Sequence, residues 1–148
     1  MHQARALEMV LGLWPGRWLI PEAVKEEARA WVAERERIMG ALENLCSRGV
    51  AAYTEIDPRT QGSLLVTLSR TLGQGEAATI AIAQGRHLGA ALDDLAARRA
   101  CERLSPPVPW IATEEILLCA VTEEYLTAAE ARGIWDATGI TDPKRLIP

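Results

Sequence analysis

Asp93 and Asp94 follow the apolar run HLGAAL and open the stretch LAARRACERL. Glu76 opens a second apolar stretch, directly after Gly75, and Glu27 lies in the first turns of a helical pattern that follows WLIP. Each carboxylate stands where a strand ends or a helix begins. In parallel α/β sheets that edge is where ligands bind. Gathering such groups is costly: two unit charges about 4 Å apart repel by about 4 kcal/mol at an effective dielectric near 20. A fold keeps them together when a cation neutralises them or when one takes a proton. Hard carboxylate oxygens without His or Cys select Mg²⁺ or Mn²⁺. These ions activate water and stabilise a phosphate oxyanion, so the chemistry expected of Glu27, Glu76, Asp93 and Asp94 as metal ligands is phosphodiester hydrolysis.

Each residue also has a plainer role open to it. Glu27 has Glu26 beside it and suits a solvated helix face. Glu76 at a helix start complements the macrodipole. Asp94 suits an N-cap and Asp93 a strand end. The pairs Glu114–Glu115 and Glu123–Glu124 each open a helix, where the dipole accounts for them.

The elements that must position these groups alternate between strand and helix. GRWLIP reads as a strand ending at Pro21, which suits the first turn of the helix that follows. That helix is expected to run unbroken through PEAVKEEARAWVAERERIMGALENLC. Val24, Ala28, Trp31, Ile38, Leu42 and Leu45 form its buried stripe, which Arg35 interrupts. Gly49 stops the helix. VAAYTEI is a strand, DPRTQG a turn, and SLLVTLSRTL a short helix. GQGEAATIAIAQG has almost no polar face and reads as a helix buried nearly all round. RHLGAAL is a strand, DDLAARRACERL a helix, and SPPVPWIA a loop with a last short strand. Thr113 is expected to cap EEILLCAV, and Thr127 with Glu130 forms a capping box on the final helix, which Gly139 closes. The alternation implies one α/β domain over residues 1–148 with a mostly parallel sheet, an N-terminal helix at 1–15 and a tail at 140–148.

Composition sets limits. The chain has 148 residues, 49% hydrophobic and 24% charged, which suits one domain with a sizeable core. No apolar run reaches the roughly 20 residues that cross a bilayer, so a cytoplasmic protein with no membrane partner is expected. The net charge of −4 gives no global basic field. Of the 16 basic residues 14 are arginine, the better bidentate partner for phosphate, although a GC-rich genome would favour arginine anyway. Cys46, Cys101 and Cys119 make no CxxC, and with only His2 and His87 to join them zinc is not expected.

LIPEAVKEEA, LGQGEAATIAIAQGRHLGAALDDLAARRACERL and WIATEEILLCAV stand in an order and at spacings that resemble the PIN domain, in the branch with IPxAVxxE, LGxGEAxAIxLA and LDDxxAR segments. The resemblance runs from about Gly16 to Gly139. It implies a three-layer α/β/α fold around a parallel sheet. It implies a metal-dependent endoribonuclease like the VapC-type toxins of toxin–antitoxin pairs, with RNA as substrate, an antitoxin protein as a partner and a homodimer as the assembly. By position it assigns metal-site acids to Glu27, Glu76, Asp93 and Asp94, and a site hydroxyl to Thr113. Arg98 and Arg99 are candidates for the RNA backbone, with a solvated helix face as their plainer role.

One departure stands out. Members of this family open with a strand ending in Asp, and nothing in MHQARALEMVLGLWPG reads so; that stretch looks like the helix after it. The first strand is therefore expected to be absent, leaving an opened sheet whose edges need covering. A smaller departure is Ala112, where the family has glycine. Two functions follow: a Mg²⁺- or Mn²⁺-dependent ribonuclease, or a catalytically degenerate module that binds protein or RNA, with Trp14, Trp18, Trp31, Trp110 and Trp135 as candidate anchors.

Overall fold

Strand and helix alternate along the chain as the pattern predicts. The computed structural model describes residues 8, 11, 12, 16–32 and 35–138. Strand β1 (Trp18–Pro21) leads into helices α1 (Glu22–Ala30) and α2 (Arg35–Ser47), then strand β2 (Ala51–Thr54). Helices α3 (Gly62–Leu68) and α4 (Gln74–Arg86) precede strand β3 (Ala90–Ala91) and helix α5 (Leu95–Arg103). Strand β4 (Trp110–Ile111) and helices α6 (Thr113–Thr122) and α7 (Ala128–Thr138) follow. The expected N-terminal helix, apart from residues 8, 11 and 12, and the expected tail at 140–148 lie outside the described residues, as do Trp14 and Gly139. No described helix is long and apolar enough to cross a membrane.

The strands pair in two parallel sets. β1 pairs with β2, Trp18 opposite Ala51 through Pro21 opposite Thr54, and β3 pairs with β4, Ala90 opposite Trp110 and Ala91 opposite Ile111. No hydrogen-bonded ladder joins the two sets among the described residues. Pro21 can close β1 because of its parity. The Trp18 N–H donates to Val50 O at 2.9 Å, so residues 18 and 20 turn their backbone groups toward β2 and residues 19 and 21 away. The donor that proline lacks is thus one β2 never required.

Helix α4 holds the halves together. It packs against α1, α3, α5, β1 and β3. Ala77, Ala78, Ile80, Ala81, Ile82 and Ala83 are all buried, as a run with no polar face demands. Its small side chains let the strands and α5 approach closely. Ile80 fills the centre of a cluster with Leu68, Leu92, Ala97, Cys101 and Val108. A second cluster, Ile20, Leu42, Leu45 and Ala51, seats α2 on the first strand pair. A third, Leu117, Ala120, Leu126, Ala131 and Trp135, joins α6 to α7. The capping box at α7 forms as expected, with the Thr127 N–H donating to Glu130 Oε2 at 2.8 Å and the Glu130 N–H to Thr127 Oγ1 at 3.2 Å.

Three expectations fail. Glu123–Glu124 opens no helix: Glu123 is the C-cap of α6, and α7 begins only at Ala128. The long helix is broken after Ala30, and Trp31, expected on the buried stripe, is 65% exposed. Arg35 accounts for part of the break: its Nε donates to the Arg29 carbonyl at 2.6 Å and satisfies an end of α1 that a continuous helix would have bonded internally. The residue that interrupted the apolar stripe therefore serves the helix end. Thr113 is likewise not the N-cap of α6. Ala112 is, and Glu115 Oε2 reaches back to accept its N–H at 2.6 Å. Thr113 is left to do something else.

Burial also separates the cysteines. Cys101 is fully buried and burial pushes its thiol up from the ordinary range, whereas Cys119 is exposed. Brief iodoacetamide treatment of the native protein at pH 8 is expected to label Cys119 and spare Cys101, read by peptide mass spectrometry. Because the folded thiol titrates above the unfolded one, its contribution to stability is present below an unfolded pKa of about 8.5 and is lost as pH rises beyond it.

Candidate functional site

Glu27 and Glu76 come from helices far apart in sequence and meet at the first turn of α4. The Gly75 N–H donates to Glu27 Oε1 at 2.8 Å, and the Gly73 N–H donates to Glu76 Oε2 at 3.1 Å. A Cβ placed on Gly73 would lie 3.5 Å from Glu76 Oε2 and 3.9 Å from Glu27 Oε1, so both carboxylates flank that glycine. A Cβ on Gly75 would come within 2.5 Å of Glu27 Oε2. Glycine at 75 is what permits this approach, since a side chain there would push the Glu27 carboxylate off the backbone. The positive end of α4 faces both acids and offsets their repulsion. The repeated glycines of LGQGE were the sequence signal for this cradle, and their backbone donors were not anticipated.

Asp93 forms a second arrangement, with Thr113. The Thr113 N–H donates to Asp93 Oδ1 at 2.8 Å and the Thr113 hydroxyl to Oδ2 at 2.6 Å. One carboxylate thus ties the end of β3 to the start of α6, across the strand pair. Asp94 turns the other way and caps α5, its Oδ1 accepting the Ala97 N–H at 2.8 Å. Arg98 stands beside Asp93: its Nη2 donates to the Asp93 carbonyl at 3.1 Å and its guanidinium lies 5.1 Å from the ring centroid of Trp110. Arg99 is exposed.

Replacing Thr113 with valine keeps the shape and the backbone N–H while removing the hydroxyl. The expected loss is about 1 kcal/mol, since a hydrogen bond to a charged group is worth more but this one is partly solvated. Thermal unfolding should fall by about 2–4 °C, and Thr113→Ser should recover most of it.

Among the described residues no group of three or more His, Cys, Asp or Glu side chains lies close enough to enclose a metal ion. The four acids therefore do not form one closed cage. Mg²⁺ does not require one: it keeps several waters and is commonly held by one or two carboxylates together with substrate phosphate. The Glu27–Glu76 pair, all hard oxygen and drawn together around Gly73 and Gly75, fits an ion held in that way.

The fold is thus of the parallel α/β class, with Glu76 on the first turn of α4, Asp93 just after β3 and Glu27 in the second half of α1. A family model described as a PIN domain matches residues 1–137, and the chain belongs to that family. PIN domains are generally nuclease-like and generally use divalent metal ions. Comparison with curated proteins and with solved structures gave no match.

Proposed function

We propose that the protein is a Mg²⁺- or Mn²⁺-dependent endoribonuclease of the toxin–antitoxin type, working at the edge that carries Glu27, Glu76 and Asp93. The observation that carries this reading is the meeting of Glu27 and Glu76 around Gly73 and Gly75. Both carboxylates accept N–H bonds at the start of α4, and the free oxygens left over at one point suit a hard cation. Glu27 and Glu76 would hold the ion; Asp93, in its separate arrangement, acts by holding Thr113, and Asp94 by capping α5. When bound, the ion supplies Lewis-acid stabilisation of phosphate and acidifies water.

The remaining steps belong to the chain. The hydroxyl proton of Thr113 is committed to Asp93, so Oγ1 has only acceptor capacity left. It therefore orients a water and does not hold a phosphate oxygen. Arg98, fixed by the Asp93 carbonyl and Trp110, presents the outer N–H groups of its guanidinium, its buried Nε apart, to the RNA backbone. An antitoxin protein and a homodimeric partner belong to the same proposal.

The second reading, a degenerate module that binds without cutting, draws on the absence of a three-acid group among the described residues. Its anchors would be Trp31 and Val32, 65% and 80% exposed at the break between α1 and α2. The readings separate in one assay. Single-stranded RNA incubated with the protein and Mn²⁺ should be cut, EDTA should abolish cutting, and Glu76→Gln should reduce it by about 100-fold or more. Binding without cleavage, unaltered by EDTA and by Glu76→Gln, would establish the second reading in place of the first.

A further inference from the structure

Two side chains of α5 meet the indole of Trp110. Arg98 and Glu102 stand one turn apart on that helix, opposite charges at the i,i+4 spacing that suits an ion pair. Among the described residues no ion pair joins them. Each turns instead to the same ring. The Arg98 guanidinium lies over it, 5.1 Å from the centroid, and the ring Nε1–H donates to Glu102 Oε1 at 3.3 Å. The ring itself is half-buried and packs against the cluster around Ile80. Arg98 thereby keeps a whole positive charge. Its Nη2 donates to a neutral carbonyl, that of Asp93, while the Asp93 carboxylate oxygens accept from Thr113. Among the described residues no carboxylate pairs with Arg98. Its Nε is buried with no hydrogen-bond partner among them, which is costly. Attraction to the π face of the indole offsets that cost and keeps the guanidinium in place.

We infer that Trp110 is a positioning residue for the RNA substrate: with Glu102 on its edge, it keeps apart two α5 charges that would otherwise pair, and so holds Arg98 ready for a phosphate beside Asp93 and Thr113. The inference rests on the reading of the chain as a ribonuclease. It gives Trp110 a role inside the chain in place of that of an anchor for a partner protein. Without the indole, Arg98 is one turn from a carboxylate that neutralises it, and the phosphate loses its partner.

The test is binding of a short fluorescein-labelled oligouridylate to the full chain in EDTA, followed by anisotropy over a range of KCl concentrations. Arg98→Gln should lower the slope of log affinity against log salt by about 0.7, the value of one phosphate contact on a single strand. Trp110→Leu should lower it by nearly as much and weaken binding about fivefold. Trp110→Phe keeps a π face and should retain most of the parent's affinity. In the Arg98→Gln background Trp110→Leu should change nothing further, as expected of two residues acting through one contact. Glu102→Gln and Glu102→Ala shed the same charge at an exposed position, but only glutamine keeps an acceptor for the indole. The glutamine variant should therefore bind RNA about threefold more tightly than the alanine one. Far-ultraviolet dichroism checks the fold of each variant, and if Trp110→Leu fails to fold the Glu102 variants decide in its place. Equal weakening by Trp110→Leu with and without Arg98, or equal binding by the two Glu102 variants, would overturn the inference. Either result leaves metal-dependent cleavage standing, whereas a parent chain that binds no RNA would overturn both readings at once.

Discussion

Replacing Gly75 with alanine is expected to cost about 100-fold in metal-dependent RNA cleavage while leaving the fold in place. The new Cβ would lie 2.5 Å from Glu27 Oε2, 3.0 Å from its Cδ and 3.1 Å from Val24 Cγ2. Contacts under 3 Å are not sustained, and something must move. The far end of an exposed glutamate moves more easily than the backbone of a buried helix, so Glu27 is the group displaced. It gives up the 2.8 Å bond from the Gly75 N–H and with it the place beside Glu76. A misplacement of about 1 Å in a reacting constellation costs about 100-fold. The stability terms nearly cancel. The lost hydrogen bond, partly solvated, is worth about 1 kcal/mol, and alanine in place of glycine inside a helix returns about 0.5–1 kcal/mol. Cleavage kinetics and thermal unfolding measured on the same preparation check this, with an unchanged rate or a collapse of the melting temperature standing against it.

The largest effect on stability is expected at Ile80. Ile80 is fully buried, and its neighbours Ala77, Ala83, Ala90 and Ala97 are too small to collapse into the space it would leave. Ile80→Ala should therefore fall in the upper part of the 2–5 kcal/mol range known for such truncations, about 4 kcal/mol. Ile80→Val should cost about 1 kcal/mol. Urea denaturation with an unchanged slope would establish both values. Since α4 touches both strand pairs and carries Glu76 on its first turn, the alanine variant should also lose cleavage activity ahead of global unfolding.

Local composition announced α4 and not the break between α1 and α2, and the difference is physical. GQGEAATIAIAQG has glycine near both ends and no polar face, so only burial as a helix suits it. In PEAVKEEARAWVAERERIMGALENLC the apolar spacing runs on through Trp31, and the break shows only when the Arg35 side chain is seen on the Arg29 carbonyl. That bond is tertiary in kind, set by where a long side chain folds back. β3 likewise reads from sequence as a longer strand, but its ladder with β4 runs only from Ala90 to Ala91, closed by the bond from the Leu92 N–H to Ile111 O, before Asp94 opens α5.

The site divides in the same way. The places of Glu76, Asp93 and Asp94 at a strand end or a helix start are legible, because they follow from the element order, whereas Glu27 falls in the second half of the shortened α1. Which of them meet is not legible. Glu27 and Gly75 are bonded across 48 positions of chain, and no local pattern carries that information. The two aspartates show the limit most clearly. They are identical in type and adjacent in sequence, yet Asp93 reaches across to Thr113 while Asp94 bonds back to Ala97 on its own helix. A half-turn of backbone separates a residue that links two elements from one that caps a single element.

The pairing of Glu27 with Glu76 is tested most directly by titrating Mn²⁺ into the full chain and into Glu27→Gln and Glu76→Gln, with heat of binding as the readout and far-ultraviolet dichroism to confirm that all three are folded. One saturable class of site in the parent, weakened about tenfold or more in each folded variant, is the predicted result. Equal Mn²⁺ binding by the parent and both variants would show that these carboxylates meet for some reason other than a metal ion.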